Sequence, residues 1–476
     1  MVTFPVELKL LPSKKLIPAA LGAVREYAKL CFEDAKQAEK LALVTEEAID
    51  NVLLHSVSAK MNQIIVKAGT EEQRFVLEVW DDGMPGDFEK TLQDGESLGM
   101  TLMRSFADSI EFLNCGTKGR CQRIVKHIAE LPPEITAEQT EDESPIEGAV
   151  ITIRETEDGD LWDVCRALYR EYGLTYPNES VYDPESFAEL IRRPNVHSIV
   201  AYTDQGLLAG HHAIVEDQNL PGLYEMGMAV VNSRIRHCGV FSRLIEANEA
   251  YYREHIHRGI AFSDATIFHP YTQQTRLKYG YSACGFNFNF NPPETLQGTF
   301  TKNRYYTSAA MAALVPDRSP KTVFLPKELA ELAAKIYGNL ELPRSYDFTG
   351  GVAEGETVAH SSYFAKQNIG RLVVEHIGAD CREMLAQQLY NFRRNGTVSL
   401  KLYLPMEEPG LIGIYEEAKK YGFFISGILP NLEYGDLLQL CTTFGNVIHY
   451  ETMVTIGPFT ELLEMIRKFD PNDQIL

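Results

Sequence analysis

Apolar residues recur every three or four positions across residues 41–56, "LALVTEEAIDNVLLHS", with Leu41, Val44, Ala48 and Val52 on one stripe, and this spacing predicts an amphipathic helix. A second helix is predicted over residues 14–32, and the runs "MNQIIVKAG" and "RFVLEVWDDG", bounded by polar turns, predict strands. Together they predict an α/β sandwich with helices on one face of a mostly antiparallel sheet. Further along, "GAVITIRETEDG" opens a strand, "DLWDVCRALYREYG" is an amphipathic helix, and "HSIVAYTDQGLLAGHHAIVED" is a hairpin turning at Asp204-Gln205-Gly206. The strand "GLYEMGMAVV", a helix over residues 240–255, the strand "GIAFSDATIF", a short helix and "GYSACGFNFNF" follow. Residues 291–325 have no clear period and read as a loose connection. Beyond them strand and helix alternate again, through "IGRLVVEHIG", "CREMLAQQLYNFRRN", "TVSLKLYLP", "GIYEEAKKYG" and "FFISGILP". That order mimics the second half of the middle region, as a degenerate duplication would.

The break in this pattern is "AELPPEITAEQTEDESPIEG", residues 129–148, acidic, without a basic residue and nearly without apolar content, which reads as a linker. The expected organisation is therefore a domain over residues 1–131, an acidic linker over 132–147, a second domain over 148–300 and a third α/β lobe over 301–476. A chain of 476 residues is too long for one core, which agrees.

Composition narrows the function. With 45 % hydrophobic residues the chain can bury several cores, yet no window approaches the roughly 18 apolar residues of a membrane span. The start lacks the pattern of a secretion signal. The eight cysteines are scattered without a C-x-x-C pair, which argues against a zinc or disulfide scaffold and for a cytoplasmic location. A net charge of −21 works against nucleic acid or anionic membrane as partners. A nucleotide could still bind through local backbone amides and a metal ion.

Candidate chemistry starts on the polar face of the helix over 41–56, where Glu47, Asn51 and His55 recur every four residues. Any E-x-x-x-N row can be a polar face making local hydrogen bonds. Here it is followed by "VWDDGMPGDF", where Asp81 ends an apolar strand and Gly83 begins a turn, and by "DGESLGMTLMRSFADSIEF", a glycine loop running into a helix. In that order these stretches, with "CGTKGRCQRIVKHI", resemble the GHKL ATPase superfamily and, within it, the bacterial anti-sigma-factor protein kinases. The resemblance implies ATP and Mg²⁺ as ligands. Asn51 would give Mg²⁺ its amide oxygen, since this cation prefers hard oxygens and keeps several waters. Glu47 would be the base, Asp81 would accept from the adenine amine, and Gly83 would let the backbone approach the ring. Gly95 and Gly99 would present lid amides to the phosphates, with Thr117 in the G-T turn. Ser97 stands where the family has a further glycine.

A second candidate is "MGMAVVNSRIRHCGVFSRLIEANEAYYREH", an apolar strand, a basic turn and a helix whose N-terminal amides suit an anion. It resembles the acyl-CoA motif of the GNAT acyltransferases over about residues 148–290. The match runs Val231, Ser233, Arg236 and Gly239, with Phe241 where glycine or alanine is usual. His237, Gly239, Val240 and Phe241 would supply amides to acetyl-CoA or another acyl-CoA, and Glu225 would be the base. Arg276 occupies the position of the family's tyrosine acid, for which Tyr279 and Tyr281 are substitutes. His211 and His212 point to opposite sides of one strand, a poor metal pair. The third region resembles a second GNAT-like lobe without the R-x-x-G turn, with a structural or substrate-covering role.

The fold class expected is thus α/β and α+β multidomain: a GHKL sandwich, a GNAT fold and a degenerate GNAT-like lobe. Three functions compete: an anti-sigma-type serine/threonine kinase fused to an N-acyltransferase, a non-catalytic ATP-gated binding protein, and an acyltransferase with a nucleotide sensor. The expected partners are a small protein (a sigma factor or an antagonist of one), an acyl acceptor, and a second copy of the chain in a homodimer.

Overall fold

The computed structural model describes the chain apart from residues 1, 57, 59, 85–97, 130–143, 294, 296–304 and 474–476, and gives no side-chain placement at 98, 236 and 237. It divides into two units, Met1–Glu141 and Asp142–Leu476.

The first unit runs β1 (Thr3–Leu10), α1 (Ile17–Cys31), α2 (Ala35–His55), β2 (Ile64–Glu71), β3 (Arg74–Asp81), α3 (Leu98–Phe106), β4 (Ser109–Asn114) and β5 (Arg120–His127). Helix α2 starts earlier than its apolar period suggests, because the Asp34 carboxylate accepts from the Lys36 backbone N–H at 3.0 Å and caps it. The strands form an antiparallel sheet in the order β1-β2-β3-β5-β4. Val24, Leu41, Val44 and Ala48 of the helices pack on Val66, Phe75, Leu77 and Val79 of the sheet, as the alternating patterns require.

The second unit begins with β6 (Ile151–Glu155), α4 (Leu161–Tyr172), α5 (Pro184–Ile191), β7 (Val196–Thr203), β8 (Leu208–Glu216) and β9 (Leu223–Val231). There follow α6 (Val240–His255), β10 (Ile260–Thr266), α7 (Tyr271–Lys278), β11 (Ser282–Asn291), β12 (Thr307–Leu314), β13 (Lys321–Phe324), α8 (Ala330–Asn339) and β14 (Arg344–Asp347). The last part holds β15 (Val358–Phe364), β16 (Ile369–His376), α9 (Cys381–Arg394), β17 (Ser399–Pro405), α10 (Leu411–Lys420), β18 (Phe424–Leu432), β19 (Gly435–Thr442) and α11 (Pro458–Arg467).

Residues 291–325, read from the sequence as a loose connection, contain β12, which lies between β10 and β11. The reason is composition: "TSAAMAAL" is buried on both faces, so it shows no alternation, and its alanines mimic helix. Through it one sheet of twelve strands runs β15-β16-β17-β19-β18-β11-β12-β10-β9-β8-β7-β6, across the division expected near residue 300.

The sheet is internally mirrored. The series β8-β9-β10-β12-β11 and β15-β16-β17-β19-β18 have the same order and the same parallel and antiparallel pairings. The halves meet at β11 and β18, where Gly285 pairs with Gly427. A methyl group on Gly285 would stand 2.5 Å from the Gly427 Cα, so this junction needs glycine for close approach.

One irregularity matters for function. Strands β9 and β10 are parallel partners along Leu223–Glu225 and Ile260–Phe262 only. Beyond Glu225, β9 stays on β8 and β10 stays on β12, and the two splay apart. A register shift between His211 and Ala213, opposite Met228 with φ of 49°, marks a bulge in β9 there. Among the described residues no helix is long and apolar enough to cross a membrane.

Candidate functional site

In the first unit, α2 buries Ala38, Leu41, Val44, Ala48 and Val52, which turns Glu47 and Asn51 toward the start of α3. A methyl group on Gly99 would stand 2.0 Å from Glu47 Oε2, so the carboxylate lies directly on the α3 backbone. Partial burial, together with the Asp50 and Glu46 carboxylates, raises Glu47 above the usual glutamate value. The Asn51 amide nitrogen meets the Met103 and Met100 sulfurs at 3.6 and 3.8 Å, which leaves its oxygen as the atom for a cation. Mg²⁺ needs few protein oxygens beside phosphate and water, so one amide oxygen next to a carboxylate fits it. His55 is exposed at the helix end.

Asp81 ends β3 in register with Arg120 of β5. The two form a buried ion pair, Arg120 Nη2 to Asp81 Oδ1 at 2.7 Å, and the same nitrogen donates to Ser56 Oγ. Gly83 N donates to Asp81 Oδ1 at 3.0 Å, and a methyl group on Gly83 would meet the Ser56 carbonyl oxygen at 2.3 Å. Thr117 is exposed in the Gly116–Lys118 turn, so the β5 residue that touches Asp81 is Arg120. Gly95 lies outside the described residues.

In the second unit Asn232 begins a 3₁₀ turn, Ser233–Cys238, its side chain accepting from Arg234 N. Val231, Cys238 and Phe241 are half-buried, and Val240 is buried. Gly239, at φ of 70°, breaks the turn and starts α6, and among the described residues none beyond its chain neighbours has an atom within 4 Å of where its side chain would be. The side chains of Arg236 and His237 are outside the description. The equivalent turn of the mirrored half is filled: a methyl group on Gly378 would meet Thr357 N at 2.3 Å, and Asp380 at the start of α9 binds the Thr357 N–H and hydroxyl at 2.8 and 2.7 Å. A carboxylate already occupies the helix start there, which leaves no place for an anionic ligand.

Glu225 stands where β9 and β10 part and reaches into a cavity of about 400 Å³. The cavity admits solvent to the side chain but encloses it. That enclosure, with Asp264 and Asp217 nearby, pushes the Glu225 carboxyl up to about 7. Arg276 Nη2 donates to the Met226 carbonyl at 2.9 Å and its guanidinium lies over the Tyr281 ring, so it props β9 beside the splay. Tyr279 donates to Glu246 at 2.7 Å, and neither it nor Tyr281 lines the Glu225 cavity. His211 is held by Ser198 and the Met228 carbonyl, both at 2.8 Å, and His212 by Asn248 at 2.6 Å. Burial lowers His211 to about 4 and His212 well below its usual value, so both are neutral core residues.

The structure adds Arg120, Asp217, Asp264, Arg371 and Lys401 to these sites. For Asp264, Arg371 and Lys401 the signal in the sequence was a charge inside an apolar strand, as in "IAFSDAT" and "SLKLYLP", which is rare unless the charge has work or a partner; Arg120 at a strand start and Asp217 after a strand carried none. Their convergence was invisible because it depends on how the twelve strands are ordered.

Residues 12–126 match the family model described as a histidine kinase-like ATPase domain. The anti-sigma F factors of Caldanaerobacter subterraneus subsp. tengcongensis and of Thermoanaerobacter sp. (strain X514) are each 25% identical over 133 residues, covering 26% of this chain and 93% of the relative. The spermidine/spermine N-acetyltransferase SpeG of Vibrio cholerae is similar in structure, with 17% identity and a TM-score of 0.28, over 35% of this chain and 94% of that one. The ribosomal-protein-S5-alanine acetyltransferase of Vibrio fischeri gives 10% identity and a TM-score of 0.29, over 35% and 93%. Likeness at these scores carries no weight by itself, and the second unit stands on its own topology.

Proposed function

We propose that the chain joins an ATP-dependent regulator of the anti-sigma serine/threonine kinase type, in its first unit, to an acyl-CoA-dependent N-acyltransferase in its second. The observation that carries this reading is the seat of Glu47 and Asn51 against Gly99 at the start of α3. There a cation on the Asn51 oxygen and phosphates at the helix start would share one space, with Mg²⁺ supplying charge neutralisation. Glu47, raised by its surroundings, would take the proton of the attacking hydroxyl. The relatives' name favours a sigma factor or its antagonist as the protein partner.

The acyl-transfer half is favoured by Glu225 at the splay, with the open Gly239 turn at the far end of β9. Glu225 would accept a proton from the incoming ammonium. The freed amine would bond to the thioester carbonyl carbon as the C–S bond breaks, its nitrogen would then release its extra proton to solvent to leave the amide, and the departing thiolate would take up a proton from solvent. Calorimetry of ATP with Mg²⁺ on the whole chain tests the first half. Asn51→Ala is expected to weaken binding by about tenfold or more, while Glu47→Ala keeps ATP and loses phosphotransfer. Phosphotransfer surviving in Glu47→Ala would remove the assigned base and leave an ATP-gated binding protein.

A further inference from the structure

The cavity at Glu225 is built by both mirrored halves: Asp217 and Glu225 from one, Phe364, Arg371 and Lys401 from the other, with Phe290 of the junction strand β11 between them. Half of its charges are matched, Glu216 by Arg258 and Asp217 by Arg371. Arg371 Nη1 meets Asp217 Oδ2 at 2.5 Å, and neighbouring Asp264 accepts from Asn287 at 2.7 Å. Lys401 and Glu225 are not. Lys401 is only 6 % exposed, its Nζ lies 4.1 Å from the centroid of the Phe290 ring, and among the described residues no carboxylate comes within ion-pair distance of it. Glu225 likewise has no cation within that distance among the described residues, and the two are not paired with each other. Glu225 keeps contact with solvent, whereas a buried, unpaired charge such as Lys401 is costly to retain unless something that binds there completes it.

We propose that this cavity binds a small zwitterion, an amine of amino-acid size that carries a carboxylate, with its ammonium at Glu225, its carboxylate at Lys401 and its apolar part against Phe290 and Phe364. This deepens the acyl-transfer reading and rests on it for one point, that the bound amine is the acyl acceptor. It also gives the second half a task that its filled helix start denies it as an acyl-CoA site: it supplies the cation that selects the acceptor.

The test is calorimetry on the full chain, without acyl-CoA, using the proteinogenic amino acids and β-alanine. For each binder, the matching amine lacking the carboxylate is titrated alongside. At least one amino acid is expected to bind with a millimolar or lower Kd, its decarboxylated amine about tenfold or more weakly, and Lys401→Met is expected to erase that difference while Lys401→Arg largely restores it. Amines that bind as tightly as the amino acids overturn the proposal, as does a panel that fails to bind up to about 10 mM. If Lys401→Met fails to fold, the amino acid and amine pairs on the wild-type chain decide the matter. Release of CoA thiol is then followed with the bound amino acid and acetyl-CoA. Binding without release supports the zwitterion site and overturns the acyl-transfer reading.

Discussion

At the scale of single residues the second unit sets a solvent-reached carboxylate, Glu225, near a buried lysine, Lys401. Enclosure raises Glu225 to about 7 and burial lowers Lys401 to about 8. In the proposed roles Glu225 must be ionised and Lys401 protonated, so kcat/KM for the proposed acceptor is expected to rise as pH climbs through about 7 and fall again above about 8. A pH–rate profile checks this, and Lys401→Arg should carry the plateau to higher pH because arginine stays charged. The sign for stability is opposite to that for activity on the acid side. A carboxyl raised in the folded chain holds its proton longer than in the unfolded one, so its stabilising contribution is complete below the unfolded value and is lost as pH rises through about 7. Arg120 shows how burial changes a residue's meaning in the first unit. In the sequence it is one basic residue in "GTKGRCQRIVKH", whereas in the fold it holds Asp81 and Ser56 together.

At the scale of elements, legibility followed periodicity. Helix α6 and strand β9 were evident because one face of each is distinct, β3 because its β-rich run is bounded by polar turns, and Glu47, Asn51 and Asp81 could be singled out because their motifs are local. Strand β12 was hidden because it is buried on both sides and rich in alanine, and Lys401 was hidden because only the sheet order brings it to Glu225. The junction between β11 and β18 was equally invisible, since a single glycine in each strand marks it. Gly427→Val should be felt there, because even a methyl group at that position would stand 2.8 Å from the Cys284 carbonyl oxygen. A loss of about 1–3 kcal/mol, the usual range for overpacking, is expected in urea unfolding of the full chain. The affinity of the proposed zwitterion should fall with it, since both halves wall the cavity.

At the scale of the whole molecule, the two units have separate hydrophobic cores and separate sheets. Scanning calorimetry should therefore resolve two transitions. ATP with Mg²⁺ should raise the one belonging to residues 1–141 and acetyl-CoA the other, each by the linkage of about 2.7 kcal/mol at a hundredfold excess over Kd. A ligand that moves both transitions would reveal coupling between the units. Gly285 and Gly427 occupy the fourth position of strands that correspond to one another, so the junction has the form of an isologous interface written into one chain. Each of these two strands serves as the other's cover. A half expressed alone would present β11 or β18 as a bare edge whose best complement is a second copy of itself, and its natural fate would be a two-fold dimer.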